Sequence, residues 1–304
     1  MKSTGRTITL MIAVLLACVT GQAAEPPDRR AIYQATKFGI SVNYDLQIRR
    51  QAYDAPALAW MQLPPDAQAE TRTHTPGAPW IHVTLQHRVL GSLTATDVLL
   101  EPKQARATQR IVRRERADYT SYKVTQLGDA GVRRLRLRDS GALAEIDWRR
   151  AKSSVLPYPE GFEAGHRVSD ATALFVLLGR DDLQHPGQRL QLPVYSNDHL
   201  LGVELVAENF TSVMSKVIDM SGDGDREIFE KRQALQIRIH VTPLNPITRE
   251  EDMVLLGMQG GLTMLVDREW RTPLQISGRL PDIGALDLRL TRIELFEADE
   301  QPAR

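Results

Sequence analysis

The chain has 304 residues, of which 42% are hydrophobic and 25% charged, with 38 Lys and Arg against 38 Asp and Glu and a single cysteine. This is the composition of an ordinary globular chain, and it excludes a collagen-like, disulfide-stapled or intrinsically disordered one. A formal net charge of zero also excludes the global basic excess on which nucleic-acid binding draws. Basic character is local, in Arg106, Arg110, Arg113, Arg114 and Arg116 and again in Arg133, Arg134, Arg136 and Arg138, runs of the kind that make a solvated face.

In chain order, Lys2 and Arg6 precede an apolar run over 8–19 that ends at small residues, the pattern of a secretory signal. The run is about a dozen residues, well short of the ~20 that span a bilayer as a helix, so it reads as an address. The expected organisation is a leader over 1–24 and a single β-rich domain over 25–300, with 156–168 as the place where it would subdivide. Cys18 lies inside the leader and has two readings. Leu15-Leu16-Ala17-Cys18 resembles a lipobox, which would make Cys18 a lipidated first residue; Gly21-Gln22-Ala23-Ala24 instead offers ordinary cleavage, which would discard it. Either way no disulfide forms, and a core of ~280 residues is large enough to fold without one.

The strand signal begins at once. Phe38, Ile40, Val42, Tyr44, Leu46 and Ile48 alternate with Gly39, Ser41, Asn43, Asp45 and Gln47, and Ile81, Val83, Leu85 and Val89 share a face opposite His82, Thr84, Gln86 and Arg88. Runs this long, roughly twice the usual five to six residues, suit a strongly curved sheet or a barrel wall. A hairpin is expected over 132–148 about Asp139-Ser140-Gly141-Ala142. In that register Leu137 meets Ala144, Leu135 meets Ile146, Arg136 meets Glu145 and Arg134 meets Asp147.

Pro157, Pro159, Gly161 and Gly165 then mark a connecting loop over 156–165. Ser169 or Asp170 would cap a short helix over 171–178, with Ala171, Leu174, Leu177 and Leu178 as its apolar stripe and Gly179 as its stop. Further strands are expected at 189–194, 199–207, 213–218, 233–241, 253–266, 274–279 and 285–295. The predicted fold is therefore mainly β, an antiparallel curved sheet or barrel with one short helix.

The C-terminal half resembles a known family in Asp170-Ala171-Thr172-Ala173-Leu174, the strand around 190–195, Val266-Asp267-Arg268, Arg271-Thr272-Pro273-Leu274-Gln275-Ile276 and Pro281-Asp282-Ile283-Gly284. These segments are similar to a bacterial envelope family catalogued as a domain of unknown function, number three-one-zero-eight. The resemblance implies a secreted, predominantly β protein and carries over no catalytic residue.

One stretch has metal-ligand spacing. Counted as a calcium loop from Asp219, it places oxygens at positions one, three, five, nine and twelve through Asp219, Ser221, Asp223, Glu227 and Glu230, with the Asp225 carbonyl at seven and Gly224 at the turn. Arg226 at position eight, strand-like flanks and the lack of a second loop favour the alternative, an acidic turn in solvent. Nucleophile elbows, zinc helices and phosphate loops are absent from the sequence. His82 and His87 should point to opposite faces of their strand, and His166, Asp170, Asp181, Asp182, His185 and His199 cluster in sequence without catalytic spacing.

The charged end 298–304 and the irregular connections argue against a membrane-spanning barrel. The functional expectation is a noncatalytic periplasmic or outer-membrane-associated protein, touching a membrane only through a lipidated Cys18, whose curved sheet accepts a lipid or other hydrophobic ligand. An assembly or scaffolding accessory protein is the alternative, and a hydrolase or lyase of envelope glycan or lipid a third.

Overall fold

The computed structural model describes residues 28–52, 77–89, 92–116, 118–139, 147–159, 168–222, 224–244, 252–281 and 283–296, together with Ala55, Leu58, Met61, Leu63, Phe162 and Arg249. The expected leader over 1–24, with Cys18, lies outside them, as do Asp223 and His166. Fifteen strands form one sheet: β1 (Arg29–Lys37), β2 (Ile40–Ala52), β3 (Pro79–Val89), β4 (Ser92–Glu101), β5 (Arg106–Glu115), β6 (Thr120–Leu127), β7 (Gly131–Asp139), β8 (Lys152–Pro157), β9 (Ser169–Asp170), β10 (Arg189–Ser196), β11 (His199–Asp219), β12 (Arg226–Pro243), β13 (Gln259–Asp267), β14 (Pro273–Leu280) and β15 (Gly284–Leu295). The sole α-helix among the described residues, α1 (Ala173–Leu177), interrupts them between β9 and β10. The fold is mainly β and barrel-like, as the alternation predicts.

The order across the sheet is β8-β7-β6-β5-β4-β3-β2-β1-β15-β14-β13-β12-β11-β10-β9, so the chain descends to one edge, crosses over through 156–168 and returns from the other. Neighbours are antiparallel except β9 on β10 and a second pairing of β11 with β15. That second pairing sets Ile218 and Asp219 against Arg292 and Ile293 and closes β11 to β15 into a ring. Tight turns keep the register: Phe38 and Gly39, at φ 52° and 77°, form the two-residue loop between paired Lys37 and Ile40. Asn197 and Asp198, at φ 45° and 69°, do the same between Ser196 and His199, where Asn and Asp are among the few residues that tolerate this conformation.

Two buried clusters hold the sheet. The larger fills the concave side and takes in Tyr33, Tyr44, Leu46, Val83, Leu100, Val203, Ile237, Ile276, Leu288 and all of α1. The smaller lies on the opposite face of β3 to β7, where Trp80, Leu99, Ile111, Tyr122, Val124, Leu135 and Leu137 are covered by Leu58, Met61, Leu63 and Trp148. β4, between the clusters, is covered on both faces and buried along most of its length.

Three expectations need correction. The partner of β7 is β8, and Arg134 and Arg136 stand opposite Ser154 and Lys152 rather than Asp147 and Glu145. The stretch expected to pair is not strand at its end, because Asp147 caps a 3-10 turn at Trp148–Arg150, accepting the Arg149 N–H at 3.2 Å while Trp148 enters the second cluster. Ala144, Glu145 and Ile146 lie outside the described residues. Second, α1 has no polar stripe: all five residues are buried, as befits a helix surrounded by core. Third, 199–207 and 213–218 are one strand, β11, carried through a bulge between Ala207 and Phe210.

Candidate functional site

The helix α1 lies within the larger buried cluster. Its first residue follows an Asp170 carboxylate that accepts both the Thr172 N–H (2.9 Å) and the Thr172 hydroxyl (2.8 Å). Ser169, the other cap candidate, instead donates its hydroxyl to the Ala105 carbonyl. The carbonyl end of α1 is held by arginines. Arg29 of β1 donates to the Phe175 carbonyl at 2.6 Å, and Arg271 donates to the Gly179 carbonyl at 2.7 Å, both matching a cation to the negative end of the helix.

Arg29 is the unusual member. It lies in phase with Ala31, Tyr33 and Ala35 on the inward face of β1 and is 2% exposed. Burial lowers its pKa to about 10, so it stays charged at neutral pH. The nearest acid in sequence, Asp28, accepts from Arg50 at 3.3 Å. Tyr33, fully buried four residues along the same face, has its phenol pushed up by burial, with the charge of Arg29 opposing. Neither the Tyr33 hydroxyl nor Nη1 of Arg29 has a hydrogen-bond partner among the described residues.

A second charged constellation closes the mouth of the fold. Arg110, Lys123, Arg134 and Arg136 share the inward face of β5, β6 and β7, because 110 pairs with 125, 125 with 134, and 123 with 136. Asp198, at the β10–β11 turn, accepts from Lys123 (2.6 Å), Arg134 (3.0 Å), Arg136 (2.9 Å) and the Tyr195 hydroxyl (3.3 Å). Asp170, 2% exposed, takes Arg110 at 3.3 Å. Burial alone would raise the Asp198 carboxyl, and Lys123 and Arg134 more than reverse it, to about 2. Burial in turn lowers Lys123, with Asp198 opposing. The arginines expected to face solvent or cross-strand acids therefore clasp the far half of the chain.

Two open clefts lie elsewhere. One, of about 870 Å³, has Gly260 and Gly261 on its floor and Ser277, Arg279 and Asp287 on its rim. Both glycines have φ 60° and open space beside them, and they fall where β13 loses its register with β14. The other, of about 500 Å³, is lined by Phe162, Leu192, Pro193, Glu204 and Leu244 among others.

The acidic turn is a hairpin tip. Asp219 ends β11 and accepts from the Ser221 N–H (3.0 Å) and from Arg226 (3.1 Å); burial raises its carboxyl, and these donors outweigh that to lower it. Ser221 accepts the Leu295 N–H at 2.8 Å, Asp225 stands 3.9 Å from Arg292, and Glu227 pairs with Lys216 at 3.2 Å. Glu230 lies inside β12 opposite Ser215, paired with Arg232 and about 13 Å along the strand from Arg226. A calcium ion at the tip would have to displace Arg226 from Asp219. Among the described residues no three His, Cys, Asp or Glu side chains come together as a metal would need.

The histidines of the described residues meet acids as separate contacts, with the Thr84 hydroxyl bonded to both His82 and Asp97. His82 bonds Asp97 at 3.0 Å on the outer face of β3, whereas His87 stacks at 5.1 Å on Tyr44 inside. His199 is 3.8 Å from Asp252, Asp182 pairs with Arg180, and the His185 N–H goes to Gln188. Sequence reasoning missed Arg29 and Tyr33. Arg29 stands in phase with Ala31, Tyr33 and Ala35, but nothing in that spacing marks it or Tyr33 as a site.

Fold and site together define a single-sheet, barrel-like protein with an apolar helix and a buried, partly satisfied guanidinium inside. Among the described residues no helix is long and apolar enough to cross a membrane. No protein-family model matches the chain, and no curated protein matches it. Among solved structures the chain is similar to a beta-barrel-like protein of the domain of unknown function DUF1849 from Brucella abortus, at a TM-score of 0.47 and 8% sequence identity, over 90% of this chain and 99% of that one.

Proposed function

We infer that this chain is a noncatalytic protein of the cell envelope that binds a hydrophobic ligand on the concave side of its sheet, with α1 occupying that place in the unliganded form. The observation that carries the reading is α1 itself: five residues, apolar on every side and wholly buried, in the volume a ligand would use. A helix this short has little stability of its own, so it persists there through packing and through Arg29, Arg271 and Asp170, and it can be exchanged for an apolar guest. The signal-like residues 1–24 support an envelope location, and a lipidated Cys18 would tether the protein to a membrane. Labelled palmitate incorporated into the full-length chain and lost in Cys18→Ser would support the tether; no incorporation would end it.

The test of the ligand reading is native mass spectrometry of the protein purified from an envelope fraction without detergent. A discrete lipid-sized mass increment, removed by organic extraction, is expected. Its absence after exposure to total envelope lipid would refute the reading.

One observation favours a scaffolding role as the second reading. β8 ends the sheet, no strand among the described residues pairs with its outer edge, and Val155 on it is 67% exposed. Such an edge accepts an extended segment of another chain. A Val155→Pro variant that still binds lipid but loses an envelope partner captured by the parent would separate this role from the first.

A further inference from the structure

We propose that Arg29 and Tyr33 are the head-group site of this interior and that they take the carboxylate of a single-chain fatty acid. The inference rests on the reading of α1 as the occupant of the ligand's place, and it adds the chemistry of the ligand's polar end.

The argument begins with cost. A guanidinium removed from water is strongly unfavourable unless an anion or a full set of acceptors compensates it, and a buried hydroxyl without a partner adds a further penalty. Arg29 is 2% exposed, yet among the described residues no carboxylate forms an ion pair with it; Asp28 acts on it only through space, and Nη2 donates to the Phe175 carbonyl at 2.6 Å. Nη1 has no partner, and neither has the Tyr33 hydroxyl. The two groups stand on the same face of β1, close enough for the charge of Arg29 to be felt at the phenol. The other cations nearby are committed, Arg50 to Asp28 at 3.3 Å and Arg271 to the Gly179 carbonyl at 2.7 Å.

What remains on offer is one positive charge, the Nη1 donors and one hydroxyl donor. A carboxylate fits this: it carries a single charge and two oxygens that accept a forked guanidinium and a hydroxyl together. A doubly charged phosphate would leave a charge and several lone pairs uncompensated in an apolar core. The surrounding side chains, Ala31, Leu46, Val83, Phe175 and Leu178 among them, suit a hydrocarbon tail.

The same guanidinium couples head to tail. An acyl chain needs the volume of α1, and when α1 withdraws, Nη2 loses the Phe175 carbonyl. Nη1 and Nη2 are then both free to grip one carboxylate end-on, and the Tyr33 hydroxyl, on the same face of β1, is the next donor available to it. Arg29 thus exchanges a helix carbonyl for a ligand carboxylate, and no covalent bond changes.

The experiment is calorimetric titration of the delipidated full chain with palmitate and with hexadecanol, both below micelle formation, for the parent, Arg29→Met and Tyr33→Phe. The parent should bind palmitate one to one and hexadecanol at least about tenfold more weakly, and Arg29→Met should remove that preference. Tyr33→Phe deletes only an unpartnered hydroxyl, so it should fold at least as stably as the parent and still lose severalfold in palmitate affinity; it carries the comparison if Arg29→Met does not fold. Equal binding of the two ligands, unchanged in Tyr33→Phe, would overturn the head-group site while leaving the occupied-interior reading standing. Binding of neither would overturn both.

Discussion

Asp198→Asn is a sharp probe of how the two halves of the sheet are held together. Asn is as tolerant as Asp of the positive φ of 69° at this turn, so the β10–β11 hairpin keeps its geometry and only the charge is lost. The folded carboxyl is lowered from 3.8 to about 2. At about 1.4 kcal/mol per unit this corresponds to roughly 2.5 kcal/mol, and partial exposure, 28% of the side chain, screens it to about 1–2 kcal/mol. Because the folded pKa is depressed, the stabilisation is complete above pH 3.8 and is lost as pH falls through about 2. Urea unfolding of parent and variant at pH 7 and pH 3 measures it. The variant should be less stable by about 1–2 kcal/mol at pH 7, and the deficit should shrink to roughly half at pH 3. Equal stability at pH 7, or a deficit that does not change with pH, would show that Lys123, Arg134 and Arg136 do not depend on this carboxylate.

Two further substitutions test the architecture. Asp267, 2% exposed, accepts Arg232 at 2.6 Å and the N–H groups of Glu269 and Trp270 at 3.0 and 2.7 Å, beneath an Arg232 stacked 3.6 Å over Trp270. Asp267→Ala should cost about 2–3 kcal/mol in urea unfolding, since it strands two amides and removes the buried partner of a guanidinium left with only the more exposed Glu230 and Glu269, and a loss below about 1 kcal/mol would refute that account. Gly131→Ala would drive its methyl into the Leu156 carbonyl oxygen on β8. Hydrogen exchange should then show the β7–β8 pairing loosened and stability reduced by about 1–3 kcal/mol; unchanged protection of the 152–157 amides would contradict the register.

Legibility followed from how many faces of each strand are buried. β2 and β3 alternate cleanly in sequence, because the side chains that line the core are large. β1 escaped notice: its inward face is Arg29, Ala31, Tyr33 and Ala35, too small and too charged to register as apolar periodicity. β4 escaped for the opposite reason, being covered on one face by the main core and on the other by Leu58, Met61 and Trp148, segments far away in sequence. The hairpin at β7 was placed against the wrong strand because Glu145 and Asp147 offered nearby acids, whereas the arginines found theirs in Asp198, sixty residues on. Arg29 and Tyr33 could not be recognised from spacing, since what distinguishes them is the absence of a partner inside a core.

The pairing of β1 with β15, Arg29 against Leu295, carries a consequence for how the chain reaches this state. β1 and β15 lie side by side near the middle of the sheet, so the two flanking halves are joined edge to edge only once residues 284–295 have been delivered. Until then the inward faces of β1 and β14 lack the strand between them, and a chain emerging from its amino end exposes both. Completion is therefore a late, long-range event, slow for a topology of this kind. The unfinished sheet presents open edges to any chain nearby, and a holding chaperone would find its substrate in that interval.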